Sequence, residues 1–205
     1  MALEVTSILV SSSEICFSKF CIENYFLLPV MLILKYSNEF NMKLTLYNAI
    51  SVDGFIATKD GDTSWVADAD WEVFESLCYQ YRNLVCGRRT YEEMTEDPDI
   101  DQTKINYHVL TSDPQSHNQF KYISQLVDFY KENKVEEALL IGGGIANASL
   151  LKEKLITDMI LSVHPIILGE GIRLFESDGV KVELDKVDVK ELSDDLVHIY
   201  YRVKY

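Results

Sequence analysis

From Met42 onward, apolar and polar positions fall into short periodic blocks. Residues 43–50 alternate and are β-prone, which predicts a strand, and Ser51-Val52-Asp53-Gly54 breaks it. Lys59-Asp60-Gly61-Asp62 reads as a loop. Over 70–81, Trp71, Phe74, Leu77, Cys78 and Tyr81 recur at helical spacing, and Asp70 stands where an N-cap is expected. Residues 83–86 predict a short buried strand ending at Gly87, and 88–95 a second helix. A strand over 107–111, an amphipathic helix over 124–134 and a strand over 137–141 follow, the last running into Gly142-Gly143-Gly144. A further helix reaches Lys154. The strand predicted over 158–167 is closed by Leu168-Gly169-Glu170-Gly171. Residues 180–191 and 196–203 end the chain as an antiparallel pair of strands.

Strand–helix alternation followed by strands alone predicts an α/β fold. The expected architecture is a mainly parallel sheet with helices on both faces and an antiparallel C-terminal edge. Residues 1–41 do not share the pattern. Their apolar run, Tyr25 to Leu34, is ten residues long and holds Pro29. That is about half of a membrane span, and it lacks the flanks of a secretory leader. The expected domain is therefore 42–205, with 1–41 as an extension outside it and no membrane partner.

The 205 residues carry 19 basic and 33 acidic side chains, a net charge of −14. A nonspecific nucleic-acid binder needs a basic face, so no nucleic-acid partner is expected. An anionic ligand would have to be held by a local basic patch against the overall field. The four cysteines (16, 21, 78 and 86) form no disulfide framework, which suits the cytosol. The four histidines are scattered, so no metal site is expected.

In a doubly wound sheet, ligands sit at the carboxyl ends of strands. Three of those ends carry phosphate-binding chemistry. Cys86-Gly87-Arg88-Arg89-Thr90 sets glycine, two guanidiniums and a hydroxyl at a strand–helix junction. Thr111-Ser112 ends the next strand with two hydroxyls. Ile141-Gly142-Gly143-Gly144 opens a helix with glycines that let backbone approach a ligand. Asp70, beside Trp71 and five residues after Trp65, has two readings, a helix cap and a carboxylate in an aromatic pocket. In the pocket, desolvation would raise its pKa and suit it to donate a proton.

These segments resemble the dihydrofolate reductase-like superfamily, including the reductase domain of bacterial riboflavin-biosynthesis deaminase-reductases. The resemblance spans 42–205. It rests on the order of Ser51-Val52-Asp53-Gly54-Phe55-Ile56-Ala57, Gly87-Arg88-Arg89-Thr90-Tyr91, Leu110-Thr111-Ser112, Ile141-Gly142-Gly143-Gly144, and Pro165-Ile166-Ile167-Leu168-Gly169-Glu170-Gly171 with Leu174-Phe175.

The resemblance implies NADPH-dependent hydride transfer to a small heterocyclic or carbonyl/imine substrate. It implies that Ala49 and Ile56 flank the nicotinamide and that Arg88 and Ser112, with Thr111 beside them, meet the 2′-phosphate. Arg89 and Thr90 would reach the pyrophosphate, with Gly87, Ile141, Gly142, Gly143, Gly144 and Ile145 lining the same stretch. The Gly142–Gly143 bond matches a cis peptide of the family. Trp65 and Asp70 match substrate-side positions of folate reductases, and Phe74 lies one turn on; Asp70 would be catalytic. Ile105, beside Lys104, stands where folate reductases carry an arginine. Phe55 and Ile141 stand where riboflavin-type reductases carry lysine and glutamate. The overall pattern is that of small stand-alone bacterial members, in which a homodimer is expected. The rival reading is a non-catalytic module that binds a nucleotide or pterin on the same fold.

Overall fold

Parallel strands buried on both faces need near-continuous apolar runs, and the centre of this sheet is built from such runs. The computed structural model describes residues 42–116, 118–176, 179–193 and 195–205. The expectations placed on 1–41 lie outside the described residues. Strand β1 (Lys43–Ser51) is followed by β2 (Phe55–Ala57), helix α1 (Asp68–Tyr81), β3 (Asn83–Gly87) and α2 (Arg88–Glu96). A 3₁₀ turn (Gln102–Lys104), β4 (Asn106–Leu110), β5 (Gln119–Phe120), α3 (Ile123–Glu132), β6 (Glu137–Leu140) and α4 (Gly144–Lys152) come next. The chain ends with β7 (Asp158–His164), β8 (Ile172–Arg173), β9 (Glu183–Ser193) and β10 (Leu196–Lys204).

The eight-stranded sheet has the order β5-β4-β3-β6-β1-β7-β10-β9, and β2 pairs with β8 in a separate ribbon. Neighbours from β5 through β7 are parallel; β10 is antiparallel to both β7 and β9. The crossovers β1–α1–β3 and β3–α2–β4 run one way along the sheet, and those through α3 and α4 run back. Right-handed crossovers therefore put α1 and α2 on one face and α3 and α4 on the other. Ring contacts agree. Tyr107 of β4 meets Tyr91 of α2 at 5.3 Å, while the next residue, His108, meets Phe129 and Tyr130 of α3 at 5.3 and 4.8 Å. The α1/α2 face holds a core of Tyr47, Cys78, Leu84, Cys86, Val109 and Leu139.

Three sequence expectations change. Asp70 is not the N-cap, because α1 starts at Asp68 after Ala67. The strand expected over 158–167 stops at His164, and the one over 180–191 starts at Glu183. The segment after β7 instead leaves the sheet as a strap. Val52 N–H donates to the Ile166 carbonyl at 2.9 Å, and Asp53 accepts from the N–H of Leu168 and Gly169 at 3.1 and 2.7 Å. Asp53 thereby fixes the strap to the β1–β2 turn, and Leu-Gly-Glu-Gly is a bend in it. None of the described helices is long and apolar enough to cross a membrane.

The strap also seats against α4, where Glu176 N–H donates to the Gly144 carbonyl at 3.0 Å. A Cβ on Gly144 would lie 2.3 Å from the Arg173 carbonyl oxygen and 2.8 Å from Glu176 Cγ. Gly144→Ala is expected to destabilise the fold by about 1–3 kcal/mol in urea unfolding, the usual cost of overpacking. An unchanged midpoint would mean that 173–176 does not pack there.

Candidate active site

Two helices start at the same place because their strands are neighbours with crossovers on opposite faces. This is a topological switch point, the crevice where open α/β sheets bind ligands. At the end of β3, Gly87 N–H donates to the Gly142 carbonyl at 2.9 Å, tying it to the end of β6. Gly87 precedes α2, and Gly143 precedes α4; neither helix has a side-chain cap or an acid in its first turn. Their first N–H groups and dipole ends are thus left to whatever enters the crevice. The Gly142–Gly143 peptide is cis, as the resemblance implies, and Gly142 has φ +108°. A Cβ on Gly143 would lie 3.7 Å from Thr90 Oγ1.

Arg88 is already positioned. Its Nε donates to Thr111 Oγ1 at 3.1 Å and its Nη2 to the Asp113 carbonyl at 2.5 Å, which bring it against the loop that holds exposed Ser112. Arg89 points elsewhere. Its guanidinium lies beside Gly61, 3.4 Å from where a Cβ would stand, and beside Glu93. Ile145 is exposed on the first turn of α4, and Ile141 is buried beneath the glycines. Ala49 and Ile56 are half-buried on β1 and β2.

Strand β1 serves both faces of the sheet through its alternation. On the α4 face, Asn48 Nδ2 donates to the Ile141 carbonyl at 3.4 Å, and Asn147 Nδ2 donates to Asn48 Oδ1 at 2.9 Å. Asn147 Nδ2 also donates to the Leu174 carbonyl at 2.9 Å. This amide pair props the glycine turn from beneath. On the α1 face, Tyr47 OH donates to Asp70 Oδ1 at 2.5 Å, and His198 Nε2 donates to the same oxygen at 2.8 Å. Asp70 is 1% exposed.

Asp70 joins the other substrate-side candidates through these partners. Phe74 stacks on Tyr47 with centroids 5.6 Å apart, and Trp65 meets His164 edge-on at 5.2 Å. His164 Nε2 accepts the Ala67 N–H at 3.2 Å, and its Nδ1 lies 3.3 Å from the Ser162 carbonyl. That pairing fits the Nδ1–H tautomer, and His164 Nε2 also lies 3.8 Å from an Asp70 oxygen.

The expectation that burial raises the Asp70 pKa is corrected. Desolvation is the largest single influence and works in that direction, but His198, Tyr47, Ser162 and His164 together outweigh it and hold the carboxyl below its ordinary value. Tyr47 is pushed well above its ordinary value by burial, then by the Asp70 charge, so it stays a donor. These hydrogen bonds favour the ionised form of Asp70. Tyr47, His198, Asn48 and Asn147 were not singled out from the sequence. A polar group within an otherwise apolar strand or helix was the one signal available for them. Two clefts lie away from all of these residues, at the amino ends of the strands. Their volumes are 790 and 380 Å³.

Comparison with known proteins gives this site its context. The model of the RibD C-terminal domain family matches residues 92–198. The uncharacterized protein YyaP of Bacillus subtilis is 27% identical over 177 residues, covering 78% of this chain and 94% of its own. A pyrimidine reductase-like protein from Corynebacterium diphtheriae shares the fold with TM-score 0.66 at 12% identity, over 84% of this chain and 98% of that one. Dihydrofolate reductase from Enterococcus faecalis, complexed with NADP(H) and RAB-propyl, gives TM-score 0.62 at 18% identity, over 81% and 99%.

The depressed Asp70 pKa makes a stability prediction. Its stabilising contribution is complete above the carboxyl's unfolded value, near 3.8, and is lost as pH falls through the lower folded value. Tyr47→Phe removes one hydrogen bond to that anion and is expected to cost about 1.5–3 kcal/mol near neutral pH. The gap between the variant and wild type narrows as pH falls below 3.8, because only a neutral pair is left to lose. Denaturant titrations across pH measure it; a gap independent of pH would contradict the ionised Asp70.

Proposed function

The chain belongs to the RibD C-terminal domain family, and from that premise we propose that it is an NADPH-dependent reductase of a small heterocyclic or carbonyl/imine substrate. The observation that carries the reading is the meeting of two uncapped helix N-termini at Gly87 and Gly142, beside an arginine preset by Thr111 and Asp113. This donor set fits a polyanionic dinucleotide, because it offers backbone N–H groups without side chains in the way and a guanidinium with two of its bonds already made. The family resemblance and the NADP(H) complex of a fold neighbour support the choice of nicotinamide cofactor.

In this reading Arg88 and Ser112 hold the 2′-phosphate. Thr90 and the N–H groups of Gly143, Gly144 and Ile145 hold the pyrophosphate, and Ala49 and Ile56 flank the nicotinamide. Arg89 joins them by leaving its place beside Gly61 and Glu93. When bound, the cofactor supplies the hydride. Trp65 and Phe74 form the substrate side of the pocket. Asp70 contributes a negative charge that orients Tyr47 and His198 on the substrate side of the pocket. Buried free thiols at Cys78 and Cys86 suit a reducing cytosol. A homodimer would cover the exposed Val187 and Val189 of edge strand β9.

The test is cofactor discrimination. Arg88→Ala is expected to weaken NADPH binding about 10- to 100-fold, the worth of a charged hydrogen bond. NADH, which lacks the 2′-phosphate, should change by less than about threefold. Equal losses for the two cofactors in fluorescence titrations would reject the assignment.

A further inference from the structure

The helix that opens at the glycine crevice carries a residue that burial alone does not favour. Asn147 is the fourth residue of α4 and is fully buried. Asparagine is a poor interior residue for a helix, and its amide needs hydrogen bonds once water is excluded. Only half of this amide has them. Its Nδ2 donates to Asn48 Oδ1 and to the Leu174 carbonyl, each at 2.9 Å. Its Oδ1 is buried with no hydrogen-bond partner among the described residues. An orphaned buried acceptor is costly, and an apolar side chain would carry no such cost. What asparagine contributes at this position is its two donated bonds.

Both bonds end on elements that border the crevice. Asn48 passes the first one on. Its Nδ2 donates to the Ile141 carbonyl at 3.4 Å and lies 3.2 Å from where a Cβ on Gly142 would stand. Backbone carbonyls can only accept, so Leu174 and Ile141 fix the orientation of the two amides. The second bond holds the strap. Leu174 N–H donates to the Gly54 carbonyl at 3.2 Å, and Glu176 N–H donates to the Gly144 carbonyl at 3.0 Å. Leu174 therefore joins α4 through its carbonyl and the β1–β2 turn through its N–H. One buried side chain connects the floor of the glycine turn, the first turn of α4 and the strap beside it.

We propose that Asn147 is a positioning residue, which locks the glycine turn and the strap into one register. The N–H groups of Gly143, Gly144 and Ile145 are then aimed into the crevice before a ligand arrives, and preset donors bind more tightly than donors that must be ordered. Asn147 touches no ligand itself and acts through Asn48 and the turn. That the ligand is a dinucleotide rests on the reading of the crevice as a cofactor site; the lock does not. A turn that holds the pyrophosphate serves NADPH and NADH alike, which separates this role from that of Arg88 at the 2′-phosphate.

The test compares Asn147→Ala and the milder Asn48→Ala in the full chain. It uses NMR-resolved amide hydrogen exchange without ligand, and fluorescence titration with NADPH and NADH. Gly87 N–H, bonded to the Gly142 carbonyl, reports the turn, and Glu176 N–H reports the strap. Asn147→Ala is expected to speed exchange about tenfold at both, and Asn48→Ala at Gly87 only, with the amides between β3 and β4 unchanged. Each variant should weaken NADPH and NADH by the same factor, about tenfold. Unchanged exchange at Gly87 in both variants would overturn the lock. So would acceleration spread evenly over the sheet, the mark of a merely structural residue. Local acceleration with both affinities intact, or a loss confined to NADPH, would overturn the positioning role. Local acceleration in a chain that binds neither cofactor would uphold the lock and reject the cofactor reading.

Discussion

One backbone contact organises the candidate site: the Gly87 N–H donated to the Gly142 carbonyl at 2.9 Å. It joins the carboxyl ends of two parallel strands whose helices depart to opposite faces of the sheet. Both helix N-termini are thereby focused on one crevice, and neither is spent on a side-chain cap. Glycine is required where the elements crowd together. A Cβ on Gly144 would strike the strap, and Gly142 adopts a positive φ. An acidic chain gathers cationic and N–H donors at such a point only by this kind of local geometry.

The two halves of the site are coupled through β1. Its alternation sends Asn48 to the glycine turn and Tyr47 to Asp70, so a single strand positions the phosphate side and the carboxylate side together. The carboxylate is satisfied within the protein. Tyr47 and His198 both donate to one of its oxygens, and that offsets the penalty of removing a charge from water. Its surroundings thus mark Asp70 as an ionised anchor, and this distinguishes the pocket from one built around a protonated acid.

Much of this architecture was legible in the sequence, and the exceptions have physical causes. The long periodic segments, such as 43–50 and 70–81, predicted their elements because burial on one or both faces leaves a pattern. Strands β2, β5 and β8 have three, two and two residues, too few to carry a period. Asp70 read as a cap because an aspartate near a helix start is locally sufficient for that role. Its actual partners lie 23 and 128 residues away in the chain, and only tertiary structure reveals them. Arg88 and Thr111 were recoverable because both stand at strand ends, where the sheet topology brings them together. Asn48 and Asn147, 99 residues apart, carry no local signature of their pairing.

The central claim, that the crevice between Gly87 and Gly142 receives a phosphorylated nicotinamide cofactor, is tested most directly by titrating the wild-type chain with NADPH and following nicotinamide fluorescence. The account predicts saturable binding with a dissociation constant of about 1–100 μM, within the usual range for enzyme ligands. No saturation by about 1 mM NADPH would contradict it.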